Sequence, residues 1–485
     1  MNDRYKHLNF TPLNKQKKKR NKLVGSFAEI PFTNRSWFDR ALPEVLWVAL
    51  LRNIYALQTF TDVLKPILNE FEYQGINSIE LTNLGSIEHD KAERIINFIC
   101  STREHRIALR PLLLFEDLPQ YNLWKAAINE EPDYQADGEA LGLTIHKTLD
   151  HQSQEATDCR WAKCYIGMIS NKITFIHRSS TPYDILDYPD VADMRKTRPS
   201  IRSMEIAFDM GVQHSDWADS FWEGCFESTE CFVNDYGAPH EERFTTQDTA
   251  DFIRHERRKL FLLRNIIGSY KKDIKLDIAV GTGLFAVKIL DELLDNEASR
   301  TGILGRLALR TLTEVSINIS YLRSAPEEVW ASFRNHGTGE AKKVLLKLMN
   351  TGVQFTFVDI DDIFLQANED RWMEFNSINL GDWEDANLRD RAIKADEKDI
   401  YDTFYDWPSH YTHGQWGAIR REVFMVCTNP LHRFHLLPNV EGERSYADVL
   451  LDATRLTKWI LHDVYAIYPE LHPPMLLGSG EQSHG

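Results

Sequence analysis

The sequence predicts an all-α protein, a multi-helix array with minor β structure in its middle region. Three observations carry that reading. Apolar residues recur at three- and four-residue spacing over long stretches, as in helices buried along one side. Breaker-rich segments such as EPDYQADG, SSTPYD, DYPD and TRPS separate those stretches. Alternating β-branched runs are scarce, and only 171–177 (NKITFIH) and 353–359 (VQFTFVD) read as strands.

Residues 1–35 contain KQKKKRNK and read as a basic, partly disordered tail, because blocks of like charge stay solvated. An N-terminal helical domain follows over 36–170. In WFDRALPEVLWVALLRNI a helix begins after Pro43, with Leu46, Leu50, Leu51 and Ile54 at helical spacing, so Trp47 and Leu50 are expected to be buried. Helices continue over 56–71, 88–102, 120–130 and, as a pair, 139–170. Residues 171–250 form a mixed, turn-rich middle region in which IRSMEIAFDM and WADSFWEGCFESTECF resume helical spacing. Cys225 and Cys231 are too far apart for a C-x-x-C pair and read as small buried apolar residues. The remainder, 251–485, reads as a C-terminal helical bundle. Its IAVGTGLFAVK lacks both the G-x-G-x-x-G spacing and the Walker lysine, which argues against a phosphate loop.

Across 485 residues the formal net charge is −16, which argues against a general nucleic-acid coat protein because polyanions would be repelled. Six cysteines lie at irregular spacings and Met1–Phe10 is polar, so reduced thiols and a cytoplasmic location are expected. No apolar run has the length of a membrane span, and no membrane partner is expected.

Three stretches carry candidate chemistry. In the helix over 304–323, Ala308, Leu312, Val315, Ile319 and Leu322 form an apolar arc. Arg306, Arg310, Glu314, Asn318 and Tyr321 share the other arc, which Leu307 and Ile317 interrupt, so the polar face is itself expected to be covered. An Arg310–Glu314 pair there is an interior network or a site. In 401–435, Pro408 opens a helix that runs to 417, with Ser409, His410 and His413 on one face. Gly414 and Gly417 inside it mark a close approach by another backbone. Packing of this helix on 304–323 brings Arg310 and Glu314 near His413. His410/His413 and His432/His435, with Cys427 between them, have spacings seen in zinc sites, but a single thiolate is short of a usual set. No metal and no cofactor is assigned, and the four histidines stay an open question. The third stretch places Arg455 and His462 seven apart, two turns along one helix.

The phrases NRSWFDRALPEVLWVALL, RPSIRSMEIAFD, SDWADSFWEGC, GRLALRTLTEVSINISYL, YDWPSHYTHGQWGA and CTNPLHRFH together resemble an uncharacterised bacterial family with a C-terminal helical domain of unknown function. The C-terminal half is similar in style to HEPN-like bundles of abortive-infection and toxin proteins. In those ribonucleases an Arg-x4–6-His motif meets an RNA phosphate and its 2′-hydroxyl; here Leu456 follows Arg455, where that family favours a polar residue. The resemblance implies a phage-defence or toxin-type effector acting as a metal-independent RNA endonuclease. His413 or His462 would be the general base, Arg310 or Arg455 would hold phosphate charge, and Glu314 would complete the site. RNA, a protein partner of a defence or toxin system and a second copy of the chain are the expected partners. Two alternatives stand beside this: a non-catalytic helical protein- or ligand-binding module, and a zinc-dependent hydrolase using the histidine pairs.

Overall fold

A computed structural model describes residues 17–19, 22–24, 36–172, 181–208, 216–233, 246–267, 273–351, 356–369, 382–440 and 447–469. It is an all-α molecule. Within the basic N-terminal stretch, β1 (Lys17–Lys19) and β2 (Lys22–Val24) pair as an antiparallel hairpin with Lys18 opposite Leu23. Of the two strands expected from the sequence, 173–177 and 353–355 lie outside the described residues, and 356–358 are bends rather than strand. The other two strands, β3 (Phe424–Val426) and β4 (Leu436–Pro438), were not foreseen. The contacts divide the chain into two compact units: 1–234 with 426–435, and 235–425 with 436–485.

In the first unit, Ser36 caps the opening turn by accepting the Asp39 N–H, as an N-terminal serine does for an otherwise orphaned donor. The labelled helices are α1 (Leu46–Ile54), α2 (Leu57–Tyr73), α3 (His89–Ile99), α4 (Tyr134–Thr148), α5 (Gln154–Ile169), α6 (Met194–Phe208) and α7 (Asp216–Ser228). The unit is built around α5. Every residue from Ala156 to Gly167 is buried, and α1, α2 and α6 pack on it. A helix covered on all sides must bury its polar residues with partners. Lys163 sits between Glu205 at 2.9 Å and Glu80 at 3.1 Å, and Asp158 accepts hydrogen bonds from Arg52, Gln154 and Tyr188. Tryptophans complete the core, and four of them give the indole N–H to a carbonyl: Trp37 to Thr148, Trp47 to Ile79, Trp161 to Ile185 and Trp217 to Pro43. Trp47 and Leu50 are both buried.

The second unit contains α8 (Thr246–Ile267), α9 (Ile274–Asp295), α10 (Ile303–Ser324), α11 (Glu327–Thr351), α12 (Leu388–Lys394), α13 (Lys398–Phe404), α14 (Asp406–Thr412), α15 (Trp416–Val423) and α16 (Leu450–Ile467). The Gly-Thr-Gly of IAVGTGLFAVK lies inside α9 and so forms no loop. Gly283 admits Leu260 of α8 and Leu461 of α16 so closely that a Cβ there would meet them at 3.0 and 3.3 Å. α10 is central: α9, α12, α13, α14 and α16 all pack on it. No described helix is long and apolar enough to cross a membrane.

Candidate functional site

The polar arc of α10 is covered, as its interrupting apolar residues predict. Arg306, Arg310 and Tyr321 are all buried. Arg306 serves the fold, donating to the carbonyls of Arg300 at 3.0 Å and Ala447 at 2.8 Å. Arg310, one turn further, is different. Its guanidinium lies 3.7 Å from the centre of the Tyr405 ring and forms an ion pair with the half-exposed Glu314. Its residue exposure is only 8%, and while Nη1 is paired with the Glu314 carboxylate, Nε makes no hydrogen bond. Buried guanidinium donors are seldom left without an acceptor.

Tyr405 stands at the N-terminus of α14 and stacks on Tyr401 of α13 at 4.4 Å between ring centres. Burial raises the Tyr401 hydroxyl above its ordinary value, while Arg389 and Arg310 pull the other way. Tyr411 is pushed up to about 12, by burial first and then by its 2.9 Å hydrogen bond to Glu422, against the positive charge of Arg421 and Arg306. A group of arginines therefore acts on this tyrosine face in a chain that is acidic overall.

The histidines of this stretch sit differently from the expectation. α14 stops at Thr412, His413 caps it, and Gly414 takes the left-handed φ of +56° that ends many helices. The single helix expected over 408–417 is therefore two, because Gly414 serves as a terminator and not as an interior packing residue. Gly417 falls in α15, where a Cβ would stand 3.4 Å from His410 Nδ1. α10 and α14 do pack together. The His413 ring is exposed and makes no hydrogen bond or ion pair among the described residues.

Arg455 and His462 lie on α16 and share one cleft of about 530 Å³ with Glu397, Asp399, Phe404, Trp459 and Asp463. Arg455 is held by Asp452 at 3.0 Å, and Asp463 by Arg323 at 2.9 Å. Burial and the negative charge of Asp463 raise the Glu397 carboxyl above its ordinary value, while the Ser320 hydroxyl, donating at 3.3 Å, pulls it down. α13 borders both groups, with Tyr401 stacked on Tyr405 and Ile400, Thr403 and Phe404 lining the cleft. The five residues singled out from the sequence thus fall into two places: Arg310 and Glu314 with the helix that His413 caps, and Arg455 with His462. Tyr405 was missed, since nothing in periodicity links it to a residue 95 positions earlier.

The metal question also changes. Among the described residues the clustered ligands include His432 and His435, and His410 and His413 are not in that group. His432 and His435 instead meet Cys427 and Cys231, and Cys231 is exposed rather than buried as expected. No curated protein and no solved structure matches the chain. Residues 302–430 match a family of unknown function, DUF5677, a span that holds Arg310, Glu314, Tyr405 and His413 and ends before Arg455 and His462.

Proposed function

We propose that the second unit binds a phosphate-bearing ligand through Arg310, with RNA as the ligand and metal-independent cleavage of it as the activity. Such an activity suits the phage-defence or toxin role that the HEPN-like style of the sequence implies. The observation that supports this reading is the buried Arg310 guanidinium, whose Nε lacks an acceptor and whose Nη1 is paired with the half-exposed Glu314. A phosphoryl group supplies oxygens of the right geometry and charge. Glu314 partly neutralises Arg310 while the site is empty of substrate, and Tyr405 holds the guanidinium plane in place. The exposed His413 ring is free to take the 2′-hydroxyl proton as general base. The arginines near Tyr401 and Tyr411 offset the repulsion that a chain of net charge −16 presents to a polyanion.

The test is incubation of the full chain with RNA oligonucleotides, with and without EDTA, followed by analysis of product ends. Cleavage that persists in EDTA, leaves cyclic phosphate ends and falls at least a hundredfold in Arg310→Lys and His413→Ala is the expected result. Absence of both RNA binding at low salt and RNA cleavage would remove the proposal.

A second reading, a ligand-binding module, is favoured by the α13–α16 cleft. Its volume suits a small ligand, its walls include Phe404 and Trp459, and carboxylates outnumber cations in it. That composition fits an organic amine better than an RNA strand. Thermal shifts with putrescine and spermidine, lost in Asp399→Asn and Trp459→Ala, would support it.

A further inference from the structure

The segment Cys427–His435 is folded so that three potential metal ligands face one way. The Asn429 side chain accepts the Leu431 N–H, and Pro430–His432 make one tight helical turn. Arg433 and Phe434 then both take left-handed backbone conformations, at φ +53° and +50°. Such conformations are strained for residues with a side chain and persist only where the surroundings hold them. The result is that His435 doubles back and its carbonyl accepts the Cys427 N–H at 3.0 Å.

The fourth ligand arrives from the end of α7. Residues 229–233 lie along this segment: Thr428 N–H donates to Phe232 at 2.7 Å, the Asn429 amide donates to Glu230 at 2.8 Å, and Val233 bridges Cys427. Cys231 Sγ then lies 3.2 Å from His435 Nε2 and 3.4 Å from His432 Nδ1, with Cys427 Sγ 3.5 Å from the same His432 nitrogen. All four ligand atoms are within 4.8 Å of one another. Tetrahedral zinc, with bonds of about 2.3 Å to sulfur and about 2.0–2.1 Å to nitrogen, sets sulfur–nitrogen edges of about 3.5 Å.

The proton on His432 is placed by its other nitrogen. Nε2 lies 2.9 Å from the Thr229 hydroxyl, whose own hydrogen goes to the Cys225 carbonyl at 2.8 Å, and 3.1 Å from the Thr229 carbonyl; both oxygens accept, so Nε2 carries the hydrogen and Nδ1 presents its lone pair to the two sulfurs. This carbonyl support behind a ligating imidazole is the usual outer arrangement of a metal-bound histidine. Cys427 and His432 are buried, and Phe226 packs on both imidazoles at 4.8 and 5.3 Å.

We propose that Cys231, Cys427, His432 and His435 form a closed Cys2His2 site for a structural zinc ion in the first unit. Four protein ligands leave no open position for substrate, and mixed thiolate–imidazole donors select zinc over hard cations. The ion would tie the end of α7 to a segment some 200 residues later in the chain. This proposal is independent of the RNA reading, which concerns the other unit.

The test uses full-length protein purified under reducing conditions without chelator, with metal content read by plasma mass spectrometry. About one zinc per chain is expected. Cobalt loaded into the apo form should give the visible bands of a tetrahedral site together with thiolate charge transfer. Cys231→Ser and His435→Asn, at positions with some exposure, should weaken cobalt binding at least tenfold, whereas His410→Ala and His413→Ala should retain full zinc. Wild-type protein that holds no zinc and gives no tetrahedral cobalt spectrum would overturn the site. So would a Cys231–Cys427 disulfide in freshly prepared chain, or equal metal loss from the His410 and His413 variants.

Discussion

Glu397 stands half-buried beside the buried Asp463, and both effects favour its protonated form. Its folded value lies above the ordinary 4.5, so within that window the native chain keeps a proton that the unfolded chain has released. Stability therefore declines as pH rises through the window, and the full penalty is present above it. Glu397→Gln, which can still accept from Ser320, is expected to melt higher than wild type at neutral pH. That advantage should shrink to nothing as pH falls toward 4.5; paired melts across this range check it, and a pH-independent difference would mean that charge is not the cause. Single-residue chemistry was legible in the sequence only where partners are neighbours. The Arg310–Glu314 pair follows from a four-residue step on a helix. Cys231 was misread as an apolar filler because a spacing rule looks along the chain, and its partners lie about 200 residues away.

At the level of helices, α9 sets up a controlled comparison two residues apart. Gly281 has open space where a Cβ would go, whereas at Gly283 the same atom would press on Leu260 and Leu461. Gly281→Ala should stabilise the unit by up to about 1 kcal/mol through helix propensity alone. Gly283→Ala should cost about 1–3 kcal/mol despite the same propensity gain, because the neighbouring leucines must leave their rotamers. Urea unfolding of both variants measures the difference, and equal effects would show that α8 and α16 yield freely around α9. Helix existence was readable from periodicity, including the covered polar face of α10. Helix ends were less so: Gly414 and Gly417 look alike in sequence, and only backbone geometry separates a left-handed terminator from a small residue beneath His410.

For the molecule as a whole, the division into two compact units predicts that core damage stays local. Trp47 is fully buried, stacks on Phe71 at 6.0 Å and donates to Ile79, so Trp47→Ala should cost about 3–5 kcal/mol. Calorimetry should show the first unit's transition falling while the second keeps its wild-type temperature, and a common shift of both would argue for one cooperative unit. The all-helical class was evident from repeated three- and four-residue spacing. The return of residues 426–435 to the first unit was not, since no local pattern distinguishes a segment that packs at home from one that packs far back along the chain.

That return has a consequence in time. Leu431 belongs to the first unit's core, and Cys427, His432 and His435 face Cys231. A ribosome adding about 5–20 residues per second takes roughly 10–40 s to travel from Asn234 to His435. Through that interval the nascent first unit lacks Leu431 of its core and the three side chains that face Cys231. A chain released before residue 427 is expected to hold its first unit less tightly, which limited proteolysis of residues 1–425 beside the full chain checks.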